Sequence, residues 1–256
     1  LSIRRQRQMC IRDSSFTTDL DSELVRRADL VIEAVFEDMK IKRDIFAKLE
    51  ARCRPDTIFC TNSSVMSPSE ISAELQHRER FVGTHFWNPG HLIPLVEVVK
   101  SDASSDEVAQ TVMDVLASAG KEPVLCKKDV PGFIANRMQH ALFREAISIV
   151  ENGIAEAGDV DDAIKYGFGM RLGVSGPMEV IDRGGLDLTY SIHKYLFPHI
   201  ESSAEPSKLM VQLMDEGKLG FKTGEGFQLW SPGQVKASNE TLTRGLIQVS
   251  RALGRL

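Results

Sequence analysis

The sequence lacks the features that mark several classes of protein. None of its apolar runs approaches the roughly 20 residues that are needed to cross a bilayer. Its net charge is −5, which argues against a nucleic-acid-binding surface, because such surfaces are usually basic. The cysteines Cys10, Cys53, Cys60 and Cys126 are scattered, and their spacing fits neither a disulfide framework nor a zinc site. We therefore expect a cytoplasmic protein with reduced thiols, no bound metal, no nucleic-acid partner and no membrane span.

The first fourteen residues also lack any helical or strand period. They read LSIRRQRQMCIRDS, begin without methionine and contain four arginines. Arginine-rich leaders occur in targeting peptides, but those carry an amphipathic pattern that is missing here. We interpret residues 1–14 as a disordered leader or as the product of a truncated reading frame, and we leave them out of the fold prediction.

From residue 22 onward, apolar segments alternate with amphipathic ones. The predicted strands are 28–36, 56–62, 80–86, 95–100 and 122–127. Helices are predicted after the first, second and fourth of these strands, and Ser67 and Pro68 suit the N-cap and first turn of the second helix. This alternation indicates a parallel α/β sheet.

Polar side chains cluster at the predicted carboxyl ends of these strands. They are Glu37, Ser63, Ser64, His85 and Asn88. In open α/β sheets, ligands bind beyond the carboxyl ends of the strands. The sequence therefore predicts a ligand site at this edge of the sheet.

The alternation stops near Asp129, and the rest of the chain reads as helices with glycine-containing connections. Pro131 suits the first turn of a helix that continues to about residue 150. We predict an α/β domain over residues 15–128 and an all-α domain over residues 129–256. The helical domain has more apolar positions than it can cover alone, so we expect it to mediate a homodimer.

An ordered set of motifs resembles the L-3-hydroxyacyl-CoA dehydrogenase family, including the 3-hydroxybutyryl-CoA dehydrogenases. The motifs are VIEAVFEDMKIK, TNSS, GTHFWNP, LVEVVK, DVPGFIANR, GPMEVIDRGGLD and GFKTGEGF. Each motif is weak alone, but seven in the family's order, over residues 16 to 230, form a specific match. The resemblance implies NAD-dependent oxidation of L-3-hydroxyacyl-CoA to 3-ketoacyl-CoA, in fatty acid β-oxidation or short-chain acyl-CoA metabolism.

The resemblance implies that His85 and Glu97 are the catalytic pair, with Ser64 and Asn136 in contact with the substrate oxygen. Oxidation of a secondary alcohol needs a base for the hydroxyl proton, and histidine exchanges a proton near neutral pH. A carboxylate on the other ring nitrogen fixes the tautomer and stabilises the imidazolium. Without the surrounding motifs, His85 and Glu97 would read more simply as structural strand residues.

The resemblance also implies that Glu37, Lys42, Ser64 and Asn88 contact the NAD cofactor. The chain departs from the family at one point, because its first glycine is Gly83. A dinucleotide-binding domain usually begins with a strand, a G-x-G-x-x-G turn and a helix that receives the pyrophosphate. We therefore expect an incomplete Rossmann-like NAD-binding domain that binds NAD weakly, followed by the all-α domain.

Two alternatives to an acyl-CoA dehydrogenase remain open. One is a dehydrogenase of the same superfamily that acts on a carnitine-like or sugar-acid alcohol. The other is a catalytically inactive or structural relative, as the lens crystallins of this superfamily illustrate. The catalytic pair favours an enzyme, whereas the missing glycine turn favours an inactive chain.

Overall fold

The computed structural model describes residues 14–255, so all but the last residue of the predicted leader lies outside the described residues. Contacts within the chain group into two compact units, and the division between them along the chain falls between Ala135 and Asn136. The first unit contains a mixed α/β sheet and the second contains helices. Among residues 14–255, no helix combines the length and the apolar character that a membrane span requires.

The first unit is built from five strands and the helices that connect them. The strands are β1 (Leu30–Glu33), β2 (Ile58–Thr61), β3 (Phe81–Phe86), β4 (Leu95–Lys100) and β5 (Glu122–Cys126). The helices are α1 (Glu23–Arg26), α2 (Met39–Glu50), α3 (Pro68–Ile71) and α4 (Asp106–Ser118), with a 3₁₀ turn at Arg78–Arg80. Ser67 caps α3 as predicted, since its hydroxyl accepts a hydrogen bond from the Glu70 N–H.

The sheet order is β1-β2-β3-β4-β5, and the sheet is mixed rather than parallel. Strands β1, β2 and β3 run parallel, but β4 runs antiparallel to β3, and β5 is parallel to β4. The prediction of an all-parallel sheet was therefore wrong at β4. The reversal brings the beginning of β4 to the same edge as the carboxyl ends of β1, β2 and β3.

Helices cover both faces of the sheet because the strands alternate their side chains between two cores. On one face, Cys60 and Val82 pack in a buried cluster with Val112 and Leu116 of α4. On the other face, Phe59 and Phe81 pack with Phe46 and Leu49 of α2 and Ile71 of α3. A Cβ on Gly83 would lie 3.0 Å from Pro68 and 3.1 Å from Val99, so β3 passes too close to its neighbours for a side chain there. The packing of both sheet faces holds the strands in place, and with them the strand ends that carry the polar residues.

The segment after β5 does not begin a helix at Pro131, contrary to the prediction. Gly132 and Phe133 have φ angles of 78° and 48°, in the left-handed region that an α-helix cannot use. A turn therefore spans residues 131–134, and the helix starts at Ala135. Phe133 is buried with Val99 and Cys126, which ties this turn to β4 and β5.

The second unit is mainly helical, with isolated antiparallel β-bridges that pair Gly220 with Glu225 and Glu225 with Leu229. Its helices are α5 (Ala135–Glu151), α6 (Ala157–Tyr166), α7 (Gly169–Leu172), α8 (Pro177–Gly184), α9 (Leu186–Leu196), α10 (Lys208–Asp215) and α11 (Pro232–Ala252), with a 3₁₀ turn at Phe197–His199. Ser231 and Gln234 form a capping box at the start of α11. Within residues 136–255, the buried residues are Ser148 and Ser250, so the apolar faces of these helices remain at least partly open.

Candidate active site

His85 and Glu97 form a buried pair at the sheet edge. The antiparallel register places them directly opposite each other on β3 and β4. His85 Nδ1 lies 2.8 Å from Glu97 Oε2, and the two side chains are 7% and 1% exposed. Because the carboxylate accepts the hydrogen bond, Nδ1 carries the proton and Nε2 is left as the acceptor nitrogen of the neutral ring.

Four donors surround the Glu97 carboxylate. Oε2 accepts from His85 Nδ1 and, at 3.0 Å, from the indole N–H of Trp87. Oε1 accepts from the backbone N–H groups of Ile134 and Ala135, each at 2.9 Å. Burial opposes ionisation, but these hydrogen bonds outweigh it and lower the pKa of Glu97 to about 2. Glu97 is therefore an ionised, fixed partner for His85 at neutral pH.

The turn at Phe133 supplies two of these donors. A positive φ is uncommon for a bulky residue and usually marks a site where the surroundings impose it. Here the conformation directs the next two N–H groups, those of Ile134 and Ala135, at one carboxylate oxygen. The Phe133 ring also packs against the His85 ring, with 5.7 Å between centroids. No motif in the sequence predicts these backbone contacts.

The lowered pKa of Glu97 predicts a specific loss of stability in acid. A carboxyl whose folded pKa lies below its unfolded value stabilises the fold above the unfolded pKa, and this contribution disappears as the pH falls towards the folded pKa. We expect Glu97 to contribute on the order of 3 kcal/mol to the free energy of unfolding, lost between about pH 4.5 and pH 2. Urea unfolding across this range, for the parent and for Glu97→Gln, measures the contribution.

Glu107→Gln is the matched control, since Glu107 is an exposed carboxyl in the first turn of α4. The control should keep the acid dependence of the parent, whereas Glu97→Gln should lose the part of it that Glu97 contributes. Identical acid profiles for all three proteins would show that Glu97 is not held in its ionised form.

A second polar cluster lies beyond the carboxyl ends of β1 and β2. Lys42 is 1% exposed, and its Nζ lies 2.8 Å from Glu33 Oε1 and 3.0 Å from Glu37 Oε2. Glu37 also accepts from the Ser63 hydroxyl and the Ser64 N–H, both at 2.8 Å. Partial burial opposes ionisation of Glu37, but the hydrogen bonds from Ser64, Lys42 and Ser63 outweigh it and hold the pKa of Glu37 below its usual value. Glu37 thus presents a fixed carboxylate with a side-chain exposure of 41%.

Glu33 and Thr61 belong to this cluster although neither was predicted as a site residue. The buried Glu33 carboxylate accepts from Lys42, from the Thr61 hydroxyl at 2.7 Å and from the Val35 N–H at 2.6 Å. Glu33 is the one acid inside the otherwise apolar run LVIEAVF, and this was the available signal. A buried acid is rarely left unpaired, so its position alone points to a cationic partner.

The remaining predicted residues lie as follows. Ser64 is exposed and contacts Glu37 through its backbone, while Ser63 does so through its hydroxyl. Asn88 is exposed just beyond the carboxyl end of β3 and precedes a cis peptide bond to Pro89. Asn136 begins the second unit, in the first turn of α5. The first unit therefore brings together the pair His85–Glu97 and the Glu37–Lys42 cluster, with Asn88, at one sheet edge.

The residues at this edge offer hydrogen-bonding groups of the kind that a nucleotide cofactor needs. Ribose hydroxyls need fixed hydrogen-bond acceptors. Glu37 supplies a partly exposed carboxylate at the strand ends where nucleotides bind, and the buried Lys42 holds it in place. Asn88 adds an exposed carboxamide. A glycine-rich phosphate turn is not found among residues 14–82, since the first glycine is Gly83.

Comparison with family models matches both parts of the chain. Residues 3–130 match the NAD-binding domain of 3-hydroxyacyl-CoA dehydrogenase, and residues 132–230 match the C-terminal domain of the same enzymes. The two matched regions together cover most of the chain. The first match begins within the predicted leader.

Individual relatives and solved structures agree with these matches. The chain is 35% identical to 5-formyl-3-hydroxy-2-methylpyridine 4-carboxylate 5-dehydrogenase of Mesorhizobium japonicum, over 93% of this chain and 77% of the relative. It is 37% identical to human mitochondrial hydroxyacyl-coenzyme A dehydrogenase, over 84% of this chain and 68% of the relative. A crystal structure of the pyridine-carboxylate dehydrogenase, described as an NAD+-dependent dismutase, superposes with a TM-score of 0.88 over 93% of this chain and 77% of that one.

The 3-hydroxyacyl-CoA dehydrogenase of Archaeoglobus fulgidus superposes with a TM-score of 0.65, at 33% identity, over 92% of this chain and 80% of that one. The shared fold, the matched domains and the polar edge lead to the same assignment. The chain belongs to the 3-hydroxyacyl-CoA dehydrogenase family and is an NAD-dependent oxidoreductase.

Proposed function

We propose that the protein oxidises L-3-hydroxyacyl-CoA to 3-ketoacyl-CoA, in cytoplasmic fatty acid or short-chain acyl-CoA metabolism. The observation that carries this proposal is the buried pair of His85 and Glu97, 2.8 Å apart, at the edge that also holds Glu37 and Lys42. A histidine with a fixed carboxylate partner is suited to removing a hydroxyl proton. The partly exposed carboxylate of Glu37, held in place by the buried Lys42, is suited to accepting hydrogen bonds from the cofactor's ribose.

In this proposal, His85 is the general base. Its Nδ1–H donates to Glu97, so Nε2 is free to accept the proton of the substrate hydroxyl. The ionised Glu97 then stabilises the imidazolium that forms, and His85 returns the proton when the reaction runs in reverse. Glu37, Lys42 and Asn88 would hold NAD, Lys42 through its contact with Glu37, and NAD would supply the acceptor for the hydride.

Ser64 and Asn136 are assigned to the substrate oxygen on the strength of the family resemblance. A hydroxyl and a carboxamide are hydrogen-bond donors, and donors aimed at that oxygen stabilise the negative charge that develops as its proton leaves. Ser64 lies next to the cofactor cluster through its N–H bond to Glu37. Asn136 is half-buried at the start of α5.

The test is the formation of reduced cofactor by the full chain, with NAD in large excess because weak NAD binding is expected. L-3-hydroxybutyryl-CoA and longer L-3-hydroxyacyl-CoA substrates should be oxidised, and the D isomers should not. Equal rates with the two isomers, or no turnover of any acyl-CoA at saturating NAD, would reject the proposal.

A second candidate follows from the comparisons. The Mesorhizobium relative aligns over 93% of this chain and its structure has a TM-score of 0.88, well above the 0.65 of the Archaeoglobus enzyme. The candidate is therefore a dehydrogenase of a formyl pyridine carboxylate, in which the same edge binds an aromatic acid rather than an acyl-CoA. Turnover of 5-formyl-3-hydroxy-2-methylpyridine 4-carboxylate without turnover of acyl-CoA would favour this candidate.

We also propose that the second unit forms a homodimer. Its helices expose large apolar side chains, including Met178, Leu186, Tyr190, Tyr195 and Phe197. Exposed apolar surface of this extent usually marks an interface, and a two-fold contact is the commonest way to cover it.

Sedimentation of the full chain tests this proposal through Tyr190→Asp. Tyr190 is 70% exposed on α9, so a charge there should weaken a dimer strongly without disturbing a packed core. We expect a dimer for the parent and a monomer for the variant. Val115→Asp is the control, since Val115 is 46% exposed on α4 of the first unit, and it should remain dimeric. A monomeric parent would contradict the proposal.

A further inference from the structure

Trp87 lies beside the His85–Glu97 pair and has no role in the proposed chemistry so far. It follows β3 two residues after His85, and alternate positions along a strand project to the same side. The indole ring is 5.7 Å from the imidazole ring between centroids, at an interplanar angle of 57°. Its Nε1–H donates to Glu97 Oε2 at 3.0 Å.

The hydrogen bond goes to the oxygen that binds His85. Oε2 accepts from His85 Nδ1 at 2.8 Å and from Trp87 Nε1 at 3.0 Å, whereas Oε1 is occupied by two backbone N–H groups. The indole nitrogen is a donor only, so its direction is fixed. A donor on Oε2 draws charge away from the oxygen that would stabilise a proton on His85.

We propose that Trp87 is a positioning residue that orients the Glu97 carboxylate against His85 and, by sharing Oε2, limits how strongly that carboxylate holds a proton on the imidazole. The inference rests on the proposed function, in which His85 is the base. A base that is held too strongly in its protonated form is less available at neutral pH. Trp87 therefore affects how available His85 is as the base near neutral pH.

Few other titratable groups lie on the elements that pack against His85, so few could account for a change seen when Trp87 is replaced. On β4 the facing charge is Glu97, and on β2 Cys60 is kept neutral because burial raises its pKa to about 12. Beyond β4 lie Cys126 and Asp129. The pKa of the Cys126 thiol is raised mainly by burial, and also by the negative charges of Glu97 and Asp129. Glu37 and Lys42 beyond β1 remain as in the parent when Trp87 is changed.

The test is a titration of His85 by NMR in the full chain, with its resonance identified by comparison with His85→Gln. Trp87→Phe keeps an aromatic ring and removes the donor. We expect the NMR titration of His85 to move to higher pH in this variant than in the parent. The pH profile of kcat/KM should move in the same direction by the same amount.

Trp230→Phe is the matched control, because it makes the same chemical change in the second unit, where Trp230 packs against Phe221. It should leave the His85 titration unchanged. In that background Trp87 is the sole tryptophan. Its replacement by fluorotryptophan gives a more acidic N–H, which should move the NMR titration of His85 to lower pH than in the parent. This second measurement decides the question even if Trp87→Phe does not fold.

An unchanged His85 titration with both replacements would overturn the role of Trp87. That result is independent of turnover, so it is distinct from failure of the proposed function. The proposed function instead fails if His85→Gln keeps its activity, whatever the titration shows. A merely structural Trp87 would change the free energy of unfolding and leave the titration as it is.

Discussion

His85→Gln is expected to lower kcat by about 10²–10⁴-fold, the usual contribution of a general acid or base. Glutamine has a similar reach and can still bond to Glu97, but it cannot accept the hydroxyl proton. Binding of the acyl-CoA should change little, because His85 is 5% exposed and acts on one reacting atom. Steady-state kinetics at saturating NAD would show the loss in kcat with a nearly constant KM.

His91→Gln provides the control for this prediction. His91 is exposed in the connection between β3 and β4, so the same chemical change falls near the site but outside the pair. It should retain parental kcat. A His85→Gln enzyme with near-normal turnover would refute the assignment of His85 as the base, however well the pair is packed.

The strand positions and their polar ends could be predicted from the sequence, because both depend on local patterns. The direction of β4 was predicted wrongly, although a physical signal existed. A parallel connection needs a crossover of about a dozen or more residues, usually a helix. The connection between β3 and β4 spans only residues 87–94, which include Pro89, Gly90 and Pro94. Such a segment favours reversal of the chain, and that reversal is what sets His85 opposite Glu97.

Other parts of the site could not be predicted because side-chain identity does not encode them. The N–H groups of Ile134 and Ala135 hold Glu97, yet any residue pair without proline would supply the same donors. Their direction depends on the positive φ of Phe133, and the presence of a phenylalanine does not predict a positive φ. Likewise, helical periodicity in the second unit identified apolar faces but not which of them would stay exposed.

Lys42→Met is expected to reduce the free energy of unfolding of the first unit by about 3–5 kcal/mol, since it breaks a buried ion pair and leaves one charge without a partner. The side chains of Lys42 and Glu33 are each 1% exposed, so water cannot replace the lost contact. Methionine preserves most of the volume and the unbranched stem of lysine. Urea unfolding followed by the fluorescence of Trp87, in the Trp230→Phe background, reports on the first unit.

Lys40→Met is the matched control on the same helix. Lys40 also lies 2.9 Å from a carboxylate, that of Asp44, but the two side chains are 85% and 53% exposed. An exposed pair contributes little to the free energy of unfolding, so the control should be nearly as stable as the parent. Adding Glu33→Gln to Lys42→Met removes the orphaned charge and should recover part of the loss. If Lys40→Met and Lys42→Met are equally mild, the Glu33–Lys42 pair is not buried in solution. Lys42 would then no longer hold Glu37 in position, since it does so by bridging Glu33 and Glu37.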